Sequence, residues 1–360
     1  MTSRERVTLL LNKQIPDQMG LYEHFWGDNF HDDQWIAQGY PKGTDPVRYY
    51  DYDLVNCGGW FDTSPVPGRC EVIEETDEWQ ITRDGRGAIM KNWKNKCGCP
   101  EHIGFEITTP AVWKKYRDGL LNLDANRLGD IEGIKKNLAD ARARDKFTVY
   151  GNVFVFEIMR GTIGDENFLP ALLEEPEWIH DFCRVYLDHF RTHYEHLFRE
   201  AGVPDGMWIY EDWGFTNGLF CSPKTMAELV MPYEKALIDF FKSYKLPVIL
   251  HSCGDIRKAI PLAIDAGFDC LQPMEAKAGC NVIEIAKTYG NKLAYIGNIN
   301  VVPLSTNDPA KVREEVLPKL KAMKEMRISY FFHSDHSVPP SVHLKTYEYA
   351  LKLFRENNRY

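Results

Sequence analysis

The chain has 360 residues, 44% of them hydrophobic and 26% charged, with a formal net charge of −9. That composition is typical of a globular protein, and an acidic balance with no Lys/Arg-rich run to reverse it argues against nucleic acid or anionic lipid as partners. The apolar stretch at 7–11 is too short for the core of a signal peptide, and no later segment approaches the ~20 apolar residues of a membrane span. A cytoplasmic protein without membrane contact is expected. Nine cysteines scattered over the chain point to reduced thiols or metal ligands rather than a disulfide framework.

In chain order, the first hundred residues are short runs broken by Gly, Pro and Asp, with rings concentrated in GLYEHFWGDNF and RYYDYDLVNCGGWF. These rings read as core and lid packing, or alternatively as an aromatic pocket to which Tyr22, Phe25 and Trp26 contribute substrate contacts. The segment QMGLYEHFW can supply a strand. Beyond about residue 100, apolar runs of strand length alternate with longer amphipathic stretches, the βα pattern. Strands are expected at 147–156, 206–210, 247–250, 268–271, 293–296 and 328–332. Helices are expected at 177–201, 222–244, 256–266, 282–289, 309–326 and 342–356. Six such units and an N-terminal strand approach the eight of a closed barrel. We therefore expect one domain over 1–360, an α/β fold of the (β/α)8 TIM-barrel class. Residues 1–100 would form an N-terminal elaboration and substrate lid, and 101–360 the main βα units. A doubly wound sheet would usually carry G-x-G-x-x-G after its first strand, and the chain has none.

Barrel chemistry gathers where the strands end at their carboxyl side. His251 and Cys253 follow one expected strand, and residues i and i+2 there share a side and can reach one ion. Imidazole and thiolate together suit Zn2+; a capping histidine beside a buried thiol is the competing reading. Glu275 and His336, each after another strand, would complete a four-ligand set, with Glu275 the ligand that yields to substrate. Glu211 and Asp212 follow 206–210, and His333 follows 328–332. These three are candidates to orient substrate or protonate a leaving oxygen, or equally to hydrogen-bond ligands from behind. Trp213 and Asn298, also at strand ends, are candidate substrate contacts.

Other features point to structure. His189, His193 and His196 share one helix face, which is expected to be solvated. Cys97 and Cys99 read as a loop, and Cys57, Cys70, Cys183, Cys221, Cys270 and Cys280 as packing residues.

Through EDWGFTNGLFCSPKTMAELVMPYEKALIDFFK, HSCGDIRKAIPLAIDAGFDCLQPMEAKAG, GNIN and HSDHSVPPSVHLKTYEYALK, the chain resembles the uroporphyrinogen decarboxylase superfamily, especially its zinc- and corrinoid-dependent methyltransferase branch. The resemblance implies a zinc-binding His-x-Cys, matched by His251 and Cys253, and a Cys in the loop after the last strand. His336 stands at that place here, a departure that puts the branch's usual thiol substrate in question. The cobalamin-independent methionine synthases are similar at greater distance, and their ligating Glu falls on Glu275. The decarboxylase proper has an arginine-rich N-terminal segment for its polycarboxylate substrate, whereas PDQMGLYEHFWGDNF holds no Arg or Lys.

An imidazole in place of a thiolate leaves a metal ion a stronger Lewis acid toward oxygen. The expected reaction is therefore methyl transfer from a small methoxylated substrate, an aryl methyl ether given the aromatic N-terminal segment, to cob(I)alamin. The chain lacks the Asp-x-His-x-x-Gly motif of similar corrinoid carriers, so the corrinoid is expected on a separate partner protein. Alternatives are transfer from a methylcorrinoid to a thiol, a decarboxylase of altered substrate, and a non-catalytic scaffold held by zinc. A homodimer is compatible with the sequence, which does not fix the oligomeric state.

Overall fold

The computed structural model describes residues 1–25, 32–95 and 100–360; Trp26, Cys97 and Cys99 lie outside them. Short apolar runs that can be buried on both faces form parallel strands. In chain order the strands are β1 (Gly20–Leu21), β2 (Leu54–Asn56), β3 (Cys70–Glu75), β4 (Trp79–Asp84), β5 (Ala88–Trp93), β6 (Glu101–Phe105) and β7 (Phe147–Val153). They continue as β8 (Gly206–Tyr210), β9 (Gly214–Phe215), β10 (Gly218–Leu219), β11 (Val248–Ser252), β12 (Cys270–Pro273), β13 (Ala294–Ile296) and β14 (Tyr330–Phe332). Eight of these form one all-parallel sheet in the order β1-β14-β13-β12-β11-β8-β7-β2. Its two end strands meet through Asp53, whose N–H donates to Leu21 O at 2.9 Å and whose Oδ2 accepts Leu21 N–H at 2.8 Å. The sheet thereby closes into the expected (β/α)8 barrel.

The helix Ser3–Leu11, opened by a Thr2/Glu5 capping box, lies across the amino ends of the strands. Arg4 N–H donates to Asp145 O, Arg4 pairs with Asp205 at 2.5 Å, and Arg6 pairs with Asp53 at 2.8 Å, all residues just before barrel strands. With this floor in place, the carboxyl ends form the opposite face. Between β2 and β7 the chain inserts an antiparallel sheet in the order β3-β4-β5-β6, whose β3 is exposed along its whole length. The first two barrel strands thus lie within the first hundred residues.

Several elements differ from expectation for local reasons. The run 147–156 is strand only to Val153, and a helix, Val155–Ile163, begins immediately; an unbroken apolar run cannot show where strand becomes helix. The helix expected at 222–244 is two, Pro223–Leu229 and Met231–Ser243, because Pro232 has no N–H and its ring crowds the preceding turn. The stretch 256–266 is helical only from Ile260. The histidine face of helix Pro176–Ala201 is not solvated at His189 or His193, which are buried. His189 Nδ1 donates to Leu120 O at 2.9 Å, and Phe61 stacks on His193. Cys70 is exposed on β3 rather than packed.

Candidate functional site

Side chains alternate along a strand, so Trp208, Tyr210 and Asp212 share one side at the end of β8, as do His251 and Cys253 at the end of β11. The two strands are neighbours, with His251 in register with Tyr210. Donor atoms of Asp212, His251 and Cys253 consequently fall within 4.8 Å of one another. His251 Nε2 lies 3.5 Å from Cys253 Sγ and 3.6 Å from Asp212 Oδ1, and that same oxygen accepts Cys253 N–H at 2.8 Å.

The turn after Cys253 is tightly held. Gly254 has φ +78°, and a Cβ there would come within 2.4 Å of the Gly214 backbone, so the approach of the β9 segment requires glycine. Glu275 Oε2 accepts Gly254 N–H at 2.8 Å, and Glu275 lies 3.5 Å from Lys277. Glu275 and His336 do not join the group formed by Asp212, His251 and Cys253. His336, half-buried, still lies within electrostatic reach of His251 and His333.

The donor set fits zinc: one imidazole, one thiol and one carboxylate on neighbouring strand ends. The imidazole is also in the right form. Its Nδ1 contacts Gln272 Oε1, an acceptor only, so Nδ1 carries the proton and the Nε2 lone pair faces Cys253 and Asp212. Burial lowers the His251 pKa and keeps the ring neutral. Burial, reinforced by Asp212 and Glu275, pushes the Cys253 thiol well above its ordinary value, and a bound divalent cation is the charge that reverses this.

The remaining sequence candidates are dispersed. Glu211 is fully buried, and its carboxylate accepts Phe156 N–H at 3.1 Å and Glu157 N–H at 2.8 Å at the start of helix Val155–Ile163. It neighbours the buried Glu234, and burial pushes both carboxyls up, so the pair retains a proton. His333 is buried behind His251, with Gln272 between them. Tyr22 packs inside the barrel against Trp208 at 5.3 Å, and Phe25 packs against Trp35 and Tyr347. Trp213 is buried against Phe268. Asn298 is committed to backbone: Nδ2 donates to Met274 O and Cys280 O, and Oδ1 accepts Val282 N–H.

Rings not named individually from sequence pack beside His251 instead. Tyr210 lies 5.0 Å from the His251 ring, Trp60 lies 5.1 Å from Tyr210 and is 41% exposed, and His24 meets Tyr210 edge-on at 5.9 Å. Period-2 alternation in GMWIY would have pointed to Tyr210, two residues before Asp212; Trp60 and His24 carried no such signal. A cavity of about 340 Å3 opens nearby between the inserted sheet and helix Val155–Ile163. Arg86, His102, Glu157 and Arg160 are on its walls, and both Glu157 and Arg160 register the charge of Asp212.

A closed (β/α)8 barrel with nitrogen, sulfur and oxygen donors converging at its carboxyl face is the class that fold and site define. The chain belongs to the uroporphyrinogen decarboxylase family, whose model matches residues 150–357, more than half of its length. It is similar to the methylated-thiol--coenzyme M methyltransferase of Methanosarcina mazei, with 27% identity over 161 residues, 45% of this chain and 38% of that protein. The match therefore spans well under half of that relative. The fold is also that of a solved methyltransferase from Methanosarcina mazei, with a TM-score of 0.68 at 16% identity and 99% of each chain covered. Among the described residues, no helix is long and apolar enough to cross a membrane.

Proposed function

We propose that the protein is a corrinoid-dependent methyltransferase that takes a methyl group from a small methoxylated substrate, an aryl methyl ether, and delivers it to the cob(I)alamin of a separate corrinoid protein. The observation that carries this reading is the convergence of Asp212, His251 and Cys253 in a chain of this family. A zinc ion held there supplies Lewis acidity toward an ether oxygen. Asp212, His251 and Cys253 hold it in this reading, and His336, from the facing loop, is the fourth donor. Glu275 fixes the turn that carries Cys253 through its bond to Gly254 N–H. Trp60 and Tyr210 pack against the arene and exclude water from its methoxy group. In this reading the mixed-charge cavity between the inserted sheet and helix Val155–Ile163 accepts polar substituents of the ring. Glu211 acts from behind, by fixing the start of the helix that carries Glu157 and Arg160.

A second reading, methyl transfer involving a thiol, is supported by the name of the Methanosarcina mazei relative. The two separate in one assay. Zinc-loaded protein is incubated with cob(I)alamin and, in parallel, methoxyarenes and methylthiols, and the phenol or thiol released is measured. Phenol release dependent on Cys253 supports the ether reading; turnover of methylthiols alone replaces it with the thiol reading.

A further inference from the structure

We propose that Glu23, His333 and Gln272 form a positioning relay that fixes the tautomer of His251 and so aims its Nε2 at Cys253 and Asp212. The inference rests on the metal reading above for its purpose, and on hydrogen-bond chemistry for its content. Gln272, on β12 and in register with His251, is buried. Its amide has two unlike ends: Oε1 faces His251 Nδ1, and Nε2 faces His333 Nε2 at 3.4 Å. A flipped amide would present its NH2 to His251 Nδ1 and force the proton onto Nε2, where it would block the lone pair that faces Cys253.

His333 prevents the flip. Its Nδ1 donates to Ser334 O at 2.5 Å, which leaves Nε2 as an acceptor, and of the two ends of the Gln272 amide the NH2 end alone can satisfy it. His333 is in turn set by Glu23, which follows β1 and is 2% exposed. Glu23 Oε1 lies 3.4 Å from His333 Nε2, and among the described residues no Lys or Arg pairs with Glu23. An ionised carboxylate at that place would draw a proton onto Nε2 and turn it against the amide NH2. A neutral carboxyl does not.

Burial and the nearby Asp335 favour the neutral form of Glu23 and outweigh the N–H groups of Ser334 and His24, which donate to its two oxygens at 3.1 and 3.2 Å and favour the ionised form. Ser334 Oγ has one proton but contacts two oxygens, Glu23 Oε1 at 2.7 Å and the His336 carbonyl, so a proton on Glu23 completes the second contact. Burial of the carboxyl raises its pKa to about 8. Glu23, His333 and Gln272 touch no substrate in this account. They act only through His251.

The test uses the full chain, metal-free, with 15N-labelled imidazoles, followed by zinc affinity from competition with a chromogenic chelator. In the wild type His251 is expected to be protonated at Nδ1 alone. In His333→Phe it becomes a mixture of tautomers, and zinc affinity falls about 10- to 100-fold although no ligand is changed. Glu23→Gln, neutral and isosteric, leaves both readouts unchanged. A folded His333→Phe with wild-type tautomer and affinity overturns the relay, as does a Glu23→Gln that shifts the tautomer as far as His333→Phe. Should His333→Phe not fold, Gln272→Met removes the amide alone, and an unaltered His251 tautomer there overturns the relay equally. A wild type that binds no zinc counts against the metal reading, while the tautomer measurement still decides the relay.

Discussion

Asp212 Oδ1 accepts the N–H of Cys253 at 2.8 Å while standing 3.6 Å from Nε2 of His251, so one carboxylate ties the end of β8 to the turn after β11 and faces the imidazole. Asp212→Ala removes both a donor and that tie. Zinc affinity is expected to fall by at least about tenfold, with circular dichroism unchanged because the side chain is 34% exposed. Unchanged affinity would remove Asp212 from the donor set.

His336 and Glu275 are expected to behave differently from one another. Both lie within electrostatic reach of His251, but Glu275 is already engaged by Gly254 N–H. Glu275→Gln keeps an acceptor for that N–H and is expected to retain zinc, while His336→Ala loses affinity. Chelator competition on the two purified variants checks this, and the reverse order would make Glu275 the ligand.

Much of the barrel was legible because its strands are short apolar runs between turn residues, and GMWIY is strand over the expected five residues. His251 and Cys253 were legible for the same reason, since period-2 alternation at a strand end puts both on one side. β1, of two residues, was legible only as a strand somewhere in QMGLYEHFW; β2, of three residues, is too short to carry any period, and the inserted sheet at 70–105 has an exposed strand with no apolar face to read. Glu23 was invisible as a functional residue: one acid among rings has no spacing partner, and its partners lie on β12 and β14 or beyond. Asn298 and Trp213 were misleading for a related reason, because a polar or aromatic residue at a strand end is as often committed to its own backbone turn or core.

Stability should respond to pH through Glu23. Burial raises its pKa in the folded protein from the ordinary 4.5 to about 8, against Ser334 and His24, whose hydrogen bonds lower it, and with Asp335 adding to the rise. The folded state therefore holds a proton that the unfolded chain releases. This contribution is complete below about pH 4.5 and is lost as pH rises through about 8. Glu23→Gln is expected to gain stability relative to wild type across that window, read from urea midpoints at several pH values. Parallel curves would contradict it.

The barrel seam rests on Asp53. Its carboxylate is buried, accepts Leu21 N–H and pairs with the equally buried Arg6 at 2.8 Å. Asp53→Ala leaves Arg6, among the described residues, with the partly exposed Asp17 as its one remaining carboxylate, and a loss of about 3 kcal/mol in urea unfolding is expected. A loss well below about 1 kcal/mol, the scale of an exposed pair, would show that the seam closes without it.

Trp60 tests the substrate wall. Being 41% exposed, it can be changed to Ala with little cost to folding. Trp60→Ala is expected to raise KM for methoxyarenes several-fold with kcat little changed, because ring packing is made equally before and during reaction. A fall in kcat at constant KM would place Trp60 elsewhere in the cycle.

The most direct test of the metal-centred account is the zinc content of the purified full chain by elemental mass spectrometry, alongside Cys253→Ala. About one zinc per wild-type chain, lost in a folded Cys253→Ala, is the predicted result. A wild type that acquires no stoichiometric zinc when offered it, or a Cys253→Ala that keeps it, would contradict the account.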